Sequence, residues 1–336
     1  MKIVSFLAQR VPKRWTRPLA VLTDMAALLT VVGVLFSSVQ YWLERDSRRR
    51  AAVFSAWSVV AGAEHKQADS GRSEALRQLV EQGQDLSGLQ LDSAIIDGVH
   101  LQGRALERVA LQSSRLRRCS FAGALLSDAN LSKASFRDGC NFTAARFQNV
   151  DLRGANFTDQ NLTQSVFSRI AGDSETSFNG ATLDGAVFSK SNLRGAIFDS
   201  AQLGLAMFVD GSDLSEGRFI HADMKGCRML RTVARGAQFQ HAIMDGCRFS
   251  LGTDLQGAVF DTSFLRGALF KGVDLRGASF FAADLTGAAF IGCDLDGTDI
   301  TSATLSGVRF IGNRGNIAAH EGSQGARTVS GKRASS

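Results

Sequence analysis

A period of five residues dominates this sequence. In the stretch VDLRGASFFAADLTGAAFIGCDLDG, residues 273–297, large apolar residues stand five apart, and the residue two places before each is small. The large residues are Leu275, Phe280, Leu285, Phe290 and Leu295. The side chains of an α-helix return to the same face about every 3.6 residues and those of a strand about every 2 residues, so neither element alone explains a period of five.

The same register extends over about two thirds of the chain. Between Leu86 and Phe310 it defines 44 central positions, and all but Ala234 hold Leu, Phe, Ile or Met. Two residues earlier the position is small in 40 of the 44. The exceptions are Gln84, Leu89, Arg104 and Gln160. Two inward and three outward residues in every five indicate one side of a solenoid, so the many central Phe are expected to pack inward rather than stack on bases.

Two successive stretches indicate how many five-residue sides close one coil. HADMKGCRML at residues 221–230 recurs as HAIMDGCRFS at residues 241–250. The offset of twenty predicts four sides to a coil, and 44 sides then give 11 coils. Strands about 4.8 Å apart would stack these coils over about 53 Å.

With this repeat the chain resembles the pentapeptide-repeat family, whose motif reads A-(D/N)-L-x-x. The matching stretches include ANLSK at residues 129–133, ADLTG at 283–287 and CDLDG at 293–297. The resemblance implies an all-β solenoid, namely a right-handed quadrilateral β-helix. Fold alone does not fix function, and this family is known for its architecture rather than for catalysis.

The register slips by one residue at four places, after Phe136, Phe167, Phe208 and Phe249. At three of the slips the extra residue comes with an Asp-Gly or Leu-Gly pair, and Gly tolerates the positive φ of a bulge. One interpretation is a corner that adjusts the twist of the solenoid. The other is a projecting loop used for contact.

The N-terminal part predicts a basic segment over residues 1–17 and a transmembrane helix over residues 18–43. The latter 26 residues are mostly apolar and would reach about 39 Å as a helix. Trp15, Tyr41 and Trp42 flank them as interfacial residues do. A buried soluble helix and a signal peptide are the alternatives. The expected location is a bacterial inner membrane with a single pass, and the flanking Lys and Arg leave the side of the repeat domain open.

The remaining segments complete the predicted domain organisation. Residues 44–83 are expected to form a helical linker and an N-terminal cap, because a solenoid end exposes unpaired strand edges. The cap residues that would cover the first coil are Ala75, Leu76, Leu79 and Val80. The β-helix follows over residues 84–311. Residues 312–336 are polar and rich in Gly and Ser, which predicts a disordered tail.

All five cysteines fall at the small inward position, where free Cys packs as a compact hydrophobe. An odd number of cysteines raises the alternatives of a reactive thiol or a metal ligand. Cys227 and Cys247 would stack on adjacent coils, but a zinc site needs about four ligands. The sequence therefore predicts neither a metal nor a cofactor.

Charge separates the candidate functions. From Leu86 to Phe310 the chain carries 22 Lys and Arg against 23 Asp and Glu, so the net charge of +6 comes from the ends. Some members of the resembled family mimic DNA and protect DNA gyrase, which requires a strongly acidic rod. Binding of nucleic acid would instead require a basic stripe. A near-neutral repeat favours neither function, and no nucleic-acid partner is expected.

An enzyme is not expected either. The five His show no catalytic spacing to Ser or Asp, and no phosphate-binding loop is present. The hypothesis that remains is a membrane-anchored, non-catalytic scaffold for protein interaction. A secreted or host-directed effector is the alternative.

The duplicated stretches supply a candidate binding patch. A coil of twenty residues would stack His221 on His241 and Arg228 on Arg248, all pointing outward. The patch consists of Arg218, His221, Lys225, Arg228, Arg231, Arg235, His241 and Arg248. Its partner would be an unknown protein, an anionic molecule or lipid headgroup, or a second copy of the chain in a homo-oligomer. The alternative is an ordinary solvated face.

Overall fold

The computed structural model describes residues 13–62, 71–318 and 327–329. The chain divides into two compact units, the first ending at Ala56 and the second beginning at Trp57. Most of the predicted basic segment, residues 1–12, lies outside the described residues.

One long helix, α1, begins at Lys13 and ends at Gly62. No helix among the described residues is long and apolar enough to cross a membrane. The transmembrane helix predicted over residues 18–43 is therefore not supported among the described residues, and the side chains of residues 18–24, 26 and 27 lie outside those described.

The second unit contains a short helix, α2, Arg72–Glu81, followed by short strands. The strands are β1 Ile95–Asp97, β2 Arg115–Arg117, β3 Leu125–Ser127, β4 Ser135–Arg137, β5 Arg146–Gln148, β6 Val166–Ser168, β7 Val187–Ser189, β8 Met207–Val209, β9 Arg228–Leu230, β10 Arg248–Ser250, β11 Leu269–Lys271, β12 Ala289–Ile291, β13 Thr298–Asp299, β14 Arg309–Ile311, β15 Ile317–Ala318 and β16 Arg327–Val329. Every pairing between these strands is parallel and joins one coil to the next, so the predicted all-β solenoid is confirmed.

Four faces follow one another around each coil. Face 1 is an 11-stranded sheet that contains β3, β5 to β12, β14 and β16. Face 3 contains β1, β2 and β4 at one end and β13 and β15 at the other. Faces 2 and 4 join adjacent coils through single parallel bridges, such as Asn130–Asp151 on face 2 and Ser120–Asn141 on face 4. A face takes five residues: a small inward one, an outward one, the central inward one, and two more outward ones.

Phe fills most of the interior of faces 1 and 3. Phe280 of face 3 is fully buried and stacks on Phe260 of the preceding coil, with ring centroids 4.7 Å apart. The same ring meets Phe270 and Phe290 of face 1 edge-on at 5.8 Å. Stacked and edge-to-face geometries are the favourable arrangements for aromatic pairs. The two Phe ladders therefore form one continuous core.

The coils contain 20 or 21 residues. Four coils have one extra residue, and they begin at Leu126, Phe167, Phe208 and Phe249 of face 1. These are the coils that contain the four predicted slips. At Asp210 and Gly211, for example, φ is +57° and +85°, so two left-handed residues turn the corner. The extra residue thus forms a corner, as the first of the two interpretations predicts.

The irregular stretch after Phe167 contains one more side of the coil, which the count of 44 central positions does not include. Both Ile170 and Gly172 point inward, so a glycine occupies a central position. A Cβ atom at Gly172 would lie 2.9 Å from Cδ2 of Leu193, which already fills the space. Asp173 and Thr176 close the corner, because the Thr176 backbone N–H donates to Asp173 Oδ1 at 3.0 Å.

Helix α2 lies at the N-terminal end of the β-helix, where the sequence predicts a cap. Its Ala75, Leu76 and Leu79 side chains are buried. The Asp97 backbone N–H donates to the Ser73 hydroxyl at 2.9 Å. Arg104 Nη2 donates to the carbonyl oxygen of Val80 at 2.6 Å, so this exception to the small-residue rule ties the cap to the first coil.

Two strands lie in the segment predicted as a disordered tail, residues 312–336. Strand β15 pairs with β13, and β16 pairs with β14. That prediction is wrong for these residues, because the last coil leaves backbone N–H and C=O groups that a following strand satisfies. Residues 319–326 and 330–336 lie outside the described residues.

Candidate functional site

The two duplicated stretches place like residues directly side by side on face 1. Strands β9 and β10 pair in register, so Arg228 and Arg248 are Cα partners. Both side chains are exposed, and neither forms an ion pair with a described residue. Two guanidinium groups on neighbouring strands, about 4.8 Å apart at the backbone, repel each other.

The two histidines stack at another edge of the same coils. The rings of His221 and His241 are 4.7 Å apart at an interplanar angle of 10°. His241 Nδ1 lies 2.8 Å from the Thr262 hydroxyl oxygen. Both histidines have φ of +60° and occupy the corner between faces 3 and 4.

The eight residues of the predicted patch do not form one surface. Arg218 lies on face 3, Lys225 on face 4 and Arg235 on face 2, whereas Arg228, Arg231 and Arg248 belong to face 1. Residues five apart in sequence lie on successive faces, and only residues about twenty apart lie on the same face. The predicted patch is therefore a belt around two coils, and this corrects the sequence-based interpretation.

Four of these eight side chains are held in ion pairs. Arg218 pairs with Asp199 at 2.6 Å, Lys225 with Asp223 at 3.0 Å and Arg235 with Asp254 at 2.7 Å. Arg231 pairs with Asp210. Arg228 and Arg248 are the arginines of the belt that remain without such a partner among the described residues.

Charge is strongly segregated between the faces. The outward residues of face 1 include nine of the 22 Lys and Arg between Leu86 and Phe310 but only three of the 23 Asp and Glu. The nine are Arg108, Arg146, Arg169, Lys190, Arg228, Arg231, Arg248, Lys271 and Arg309, and the acids are Glu107, Asp128 and Asp210. All other positions together carry 13 Lys and Arg against 20 Asp and Glu. A near-neutral repeat thus contains one basic face.

Ion pairing differs in the same way. Of the nine basic residues on face 1, only Arg231 forms an ion pair with a described residue. Of the other 13, nine do so, including Arg153, Arg194 and Arg276. Hydrogen bonds from Arg276 hold the pKa of Asp274 below its usual range. The basic groups of the other faces are largely neutralised within the protein, whereas those of face 1 are not.

Aliphatic side chains lie between the basic residues of face 1. Val187, Met207, Val209 and Leu230 occupy outward positions on the neighbouring strands β7, β8 and β9 and are partly exposed. Leu251, at the end of β10, is 59% exposed. This face is not apparent from the sequence because its members are spread along the chain. Collecting every twentieth or twenty-first outward residue is the signal that reveals it.

The buried cysteines form a separate cluster inside the same coils. The Sγ atoms of Cys227 and Cys247 are 2.9 Å apart. Their mutual hydrogen bond, with burial as the second cause, raises the pKa of the Cys227 thiol well above its ordinary value. Among the described residues, no group of three or more His, Cys, Asp or Glu side chains is placed to hold a metal ion.

Comparison with known families covers most of the β-helix. Models of pentapeptide repeats match residues 121–166 and, in a second form, residues 174–206, 212–250, 252–287 and 278–312. The chain belongs to the pentapeptide-repeat family. In this pentapeptide-repeat protein the two inward residues of each repeat build the core, so the outward ones remain available for contact.

Several solved structures are similar to this pentapeptide-repeat protein. One is a trypsin-treated form of QnrB1, a plasmid-mediated fluoroquinolone resistance protein, with 20% identity, a TM-score of 0.35, and coverage of 54% of this chain and 89% of that one. Another is HetL, involved in heterocyst differentiation regulation in the cyanobacterium Nostoc sp. strain PCC 7120, with 21% identity, a TM-score of 0.25, and coverage of 70% and 93%. A third comes from the thylakoid lumen of Arabidopsis thaliana, with 27% identity, a TM-score of 0.20, and coverage of 35% and 66%. A search of curated proteins finds no match.

Proposed function

We propose that this pentapeptide-repeat protein is a non-catalytic scaffold that binds another protein through its outward side chains. The observation that carries the proposal is the pair of exposed arginines, Arg228 and Arg248, held side by side without a carboxylate partner among the described residues. Such an arrangement is mildly unfavourable for the isolated chain, and an external anionic group would relieve the repulsion.

The backbone that carries Arg228 and Arg248 is held in the 11-stranded sheet, and this rigidity favours a binding surface. The Arg228 backbone N–H donates to the Ala206 carbonyl at 2.9 Å, and the Arg248 N–H donates to the Cys227 carbonyl at the same distance. These hydrogen bonds fix the backbone from which the two arginine side chains project. A preorganised surface loses little conformational entropy when it binds a partner.

Attachment to a membrane through residues 18–43 is part of the proposal. The supporting observation is that the described side chains of this segment are mostly apolar and highly exposed, for example Leu28 at 66% and Trp42 at 67%. A helix whose side chains are mostly apolar and exposed is suited to a surrounding lipid or protein phase. A bacterial inner membrane remains the proposed location.

A DNA-mimicking function that targets gyrase is the less favoured alternative. Such a function calls for a continuous acidic surface. The segregation of Lys and Arg onto face 1 gives this chain a basic surface instead, with nine basic residues against three acidic ones. No observation favours a secreted effector over the scaffold.

Proximity labelling of the full chain tests the scaffold proposal. A biotin ligase fused after Ser336 should label a small, reproducible set of proteins, and a pull-down with purified protein should recover at least one of them directly. The matched control is the ligase fused to residues 1–83 alone. If both fusions label the same proteins, the β-helix recruits nothing and the scaffold proposal fails.

Extraction of cell membranes tests the attachment. The full chain should sediment with membranes, resist extraction by high salt and dissolve in detergent, because apolar burial is insensitive to screening. Release by salt alone would contradict attachment through residues 18–43.

A further inference from the structure

We propose that face 1 as a whole is the docking surface for an acidic protein, one that presents carboxylates among aliphatic side chains. The inference rests on the proposed scaffold function and names the chemistry of its partner. The proposed surface runs the length of the 11-stranded sheet and takes the place of the belt of eight residues as the candidate binding site.

The first argument is charge complementarity. Face 1 has nine Lys and Arg against three Asp and Glu, while the rest of the repeat has the opposite balance of 13 against 20. Complementary potentials steer encounter and exclude partners of like charge. An acidic partner would therefore be directed to face 1 and away from the other three faces.

The second argument is that the basic groups of face 1 are available. Eight of the nine form no ion pair with a described residue, including Arg146, Arg169 and Arg309, and all nine are exposed. On the other faces, Arg153 and Arg194 already bind carboxylates of this chain. An arginine without an internal partner retains its planar donors for an external carboxylate.

The third argument separates a protein from a phosphate-bearing partner. Val187, Met207, Val209 and Leu230 lie on adjacent strands within the basic face and are partly exposed. These side chains need an apolar counter-surface, which a duplex backbone or a layer of lipid headgroups does not offer. The basic residues are seven Arg and only two Lys, and Arg and Met are enriched at protein interfaces whereas Lys is depleted.

The arrangement along the sheet fits one continuous partner surface. One row of outward residues runs from Met207 through Arg228 and Arg248 to Leu269, each the Cα partner of the next. Charged and aliphatic positions thus alternate in blocks about 5 Å apart. The sheet holds all of them at fixed spacing, as a preorganised interface requires.

Binding of a defined acidic probe to the full chain tests this surface. The probe is a random copolymer of glutamate and leucine, titrated against wild type and against the Arg228→Glu, Arg248→Glu double variant. The matched control is Arg115→Glu, Arg137→Glu, which reverses two exposed arginines on neighbouring strands of face 3 that form no ion pair with a described residue. We expect the face 1 variant to weaken binding about tenfold and the control to stay within about twofold of wild type.

The salt and probe dependence complete the test. Raising the salt from about 0.1 to 0.5 M should weaken wild-type binding and reduce the difference between the variants, because exposed charges are screened. Vesicles of phosphatidylcholine and phosphatidylglycerol and a short DNA duplex are titrated in parallel. Because residues 18–43 are themselves proposed to attach to lipid, vesicle and duplex binding are scored by the loss that Arg228→Glu, Arg248→Glu causes. A greater loss for vesicles or duplex than for the copolymer, no binding of the copolymer, or equal copolymer losses in the two variants would overturn the proposal. Arg228→Gln, Arg248→Gln provides a neutral form in case charge reversal disturbs the fold.

Photo-cross-linking distinguishes failure of this surface from failure of the scaffold function. A cross-linking residue is placed at Ser189 on face 1, at Asn179 on face 3 and at Thr163 on face 4 of the full chain. Cross-links from Ser189 to a protein whose purified form is acidic and binds the Arg228→Glu, Arg248→Glu variant about tenfold more weakly support face 1. Protein cross-links from the other two positions alone leave the scaffold standing and overturn face 1. No protein cross-link from any position overturns both.

Discussion

The thiols of Cys227 and Cys247 lie in the core on adjacent coils, with their sulfur atoms 2.9 Å apart. Both residues are fully buried, and the hydrogen bond between them together with burial raises the pKa of the Cys227 thiol. Only the thiolate reacts readily with disulfide reagents. We therefore expect both thiols to react at least about a hundredfold more slowly in the folded protein than in denaturant.

The measurement is the time course of an aromatic disulfide reagent, with the denatured chain as the control that reports all five thiols. Metal analysis of the same sample should find none bound. Rapid labelling of Cys227 or Cys247 in the native protein would contradict the inward assignment of this position.

The Phe ladder gives a prediction with an internal control one residue away. Phe280 is fully buried between stacked and edge-on rings, while Phe281 is 45% exposed. Phe280→Ala should lower the free energy of unfolding by about 3–5 kcal/mol, and Phe281→Ala by no more than about 0.5 kcal/mol. Because each coil contacts only its neighbours, the loss can appear as local fraying, which hydrogen exchange around Phe280 would detect. Similar losses of unfolding free energy in Phe280→Ala and Phe281→Ala would contradict the assignment of Phe280 as inward and Phe281 as outward.

The inward half of this protein was predictable from sequence, and the outward half was not. An inward residue such as Phe280 repeats every five residues, because every side of every coil has the same packing requirement. An outward residue such as Arg228 is a neighbour of Arg248, twenty residues away, so the surface emerges only when the coils are placed in register. Residues five apart lie on adjacent faces of a coil, which is why the belt of eight residues was mistaken for one patch.

Two other departures from the repeat-based expectations concern Gln160 and residues 18–43. Gln160 violates the small-residue rule, yet it is buried because its side-chain oxygen accepts a hydrogen bond from the Cys140 backbone N–H at 2.6 Å and its amide donates to the Thr158 carbonyl. An amide can thus replace a small apolar residue where it meets two backbone groups. The transmembrane helix predicted over residues 18–43 rested on composition, and no helix among the described residues is long and apolar enough to cross a membrane.

The ion pairs of the other faces predict sensitivity to acid. Hydrogen bonds from Arg276 hold the pKa of Asp274 below its ordinary value of 3.8. A carboxyl whose pKa is lower in the folded state contributes stability above the unfolded pKa and loses it as pH falls through the folded value. Asp274→Asn should therefore remove up to about 1 kcal/mol at pH 7 and almost nothing below about pH 2. Denaturant unfolding across pH measures this, with Glu107→Gln as the control. Equal effects of Asp274→Asn at both pH values would contradict the prediction.

The repulsion between Arg228 and Arg248 has a consequence for stability. Their double replacement by Ala should leave the free energy of unfolding within about 0.5 kcal/mol of wild type, or raise it slightly, because no described ion pair is lost. Arg235→Ala should instead lower it by up to about 1 kcal/mol, since the 2.7 Å pair with Asp254 is broken. Thermal melting in low and high salt compares the two. A clear loss of stability in the double variant would mean that these arginines stabilise the fold and are not reserved for binding a partner.

Gly172 gives the sharpest test of the side that the five-residue count missed. A Cβ atom there would lie 2.9 Å from Leu193 Cδ2 and 3.1 Å from the Thr176 hydroxyl oxygen, both within a closed corner. We expect Gly172→Ala to lower the free energy of unfolding by about 1–3 kcal/mol through overpacking, although most central positions of this chain hold a large residue. Leu193→Val removes the clashing methyl group, so Gly172→Ala should cost less in that background, and the two effects should couple by at least about 0.5 kcal/mol. Additive losses in the double-mutant cycle would show that Leu193 does not fill the space over Gly172, and the corner between Phe167 and Phe178 would then need a different register.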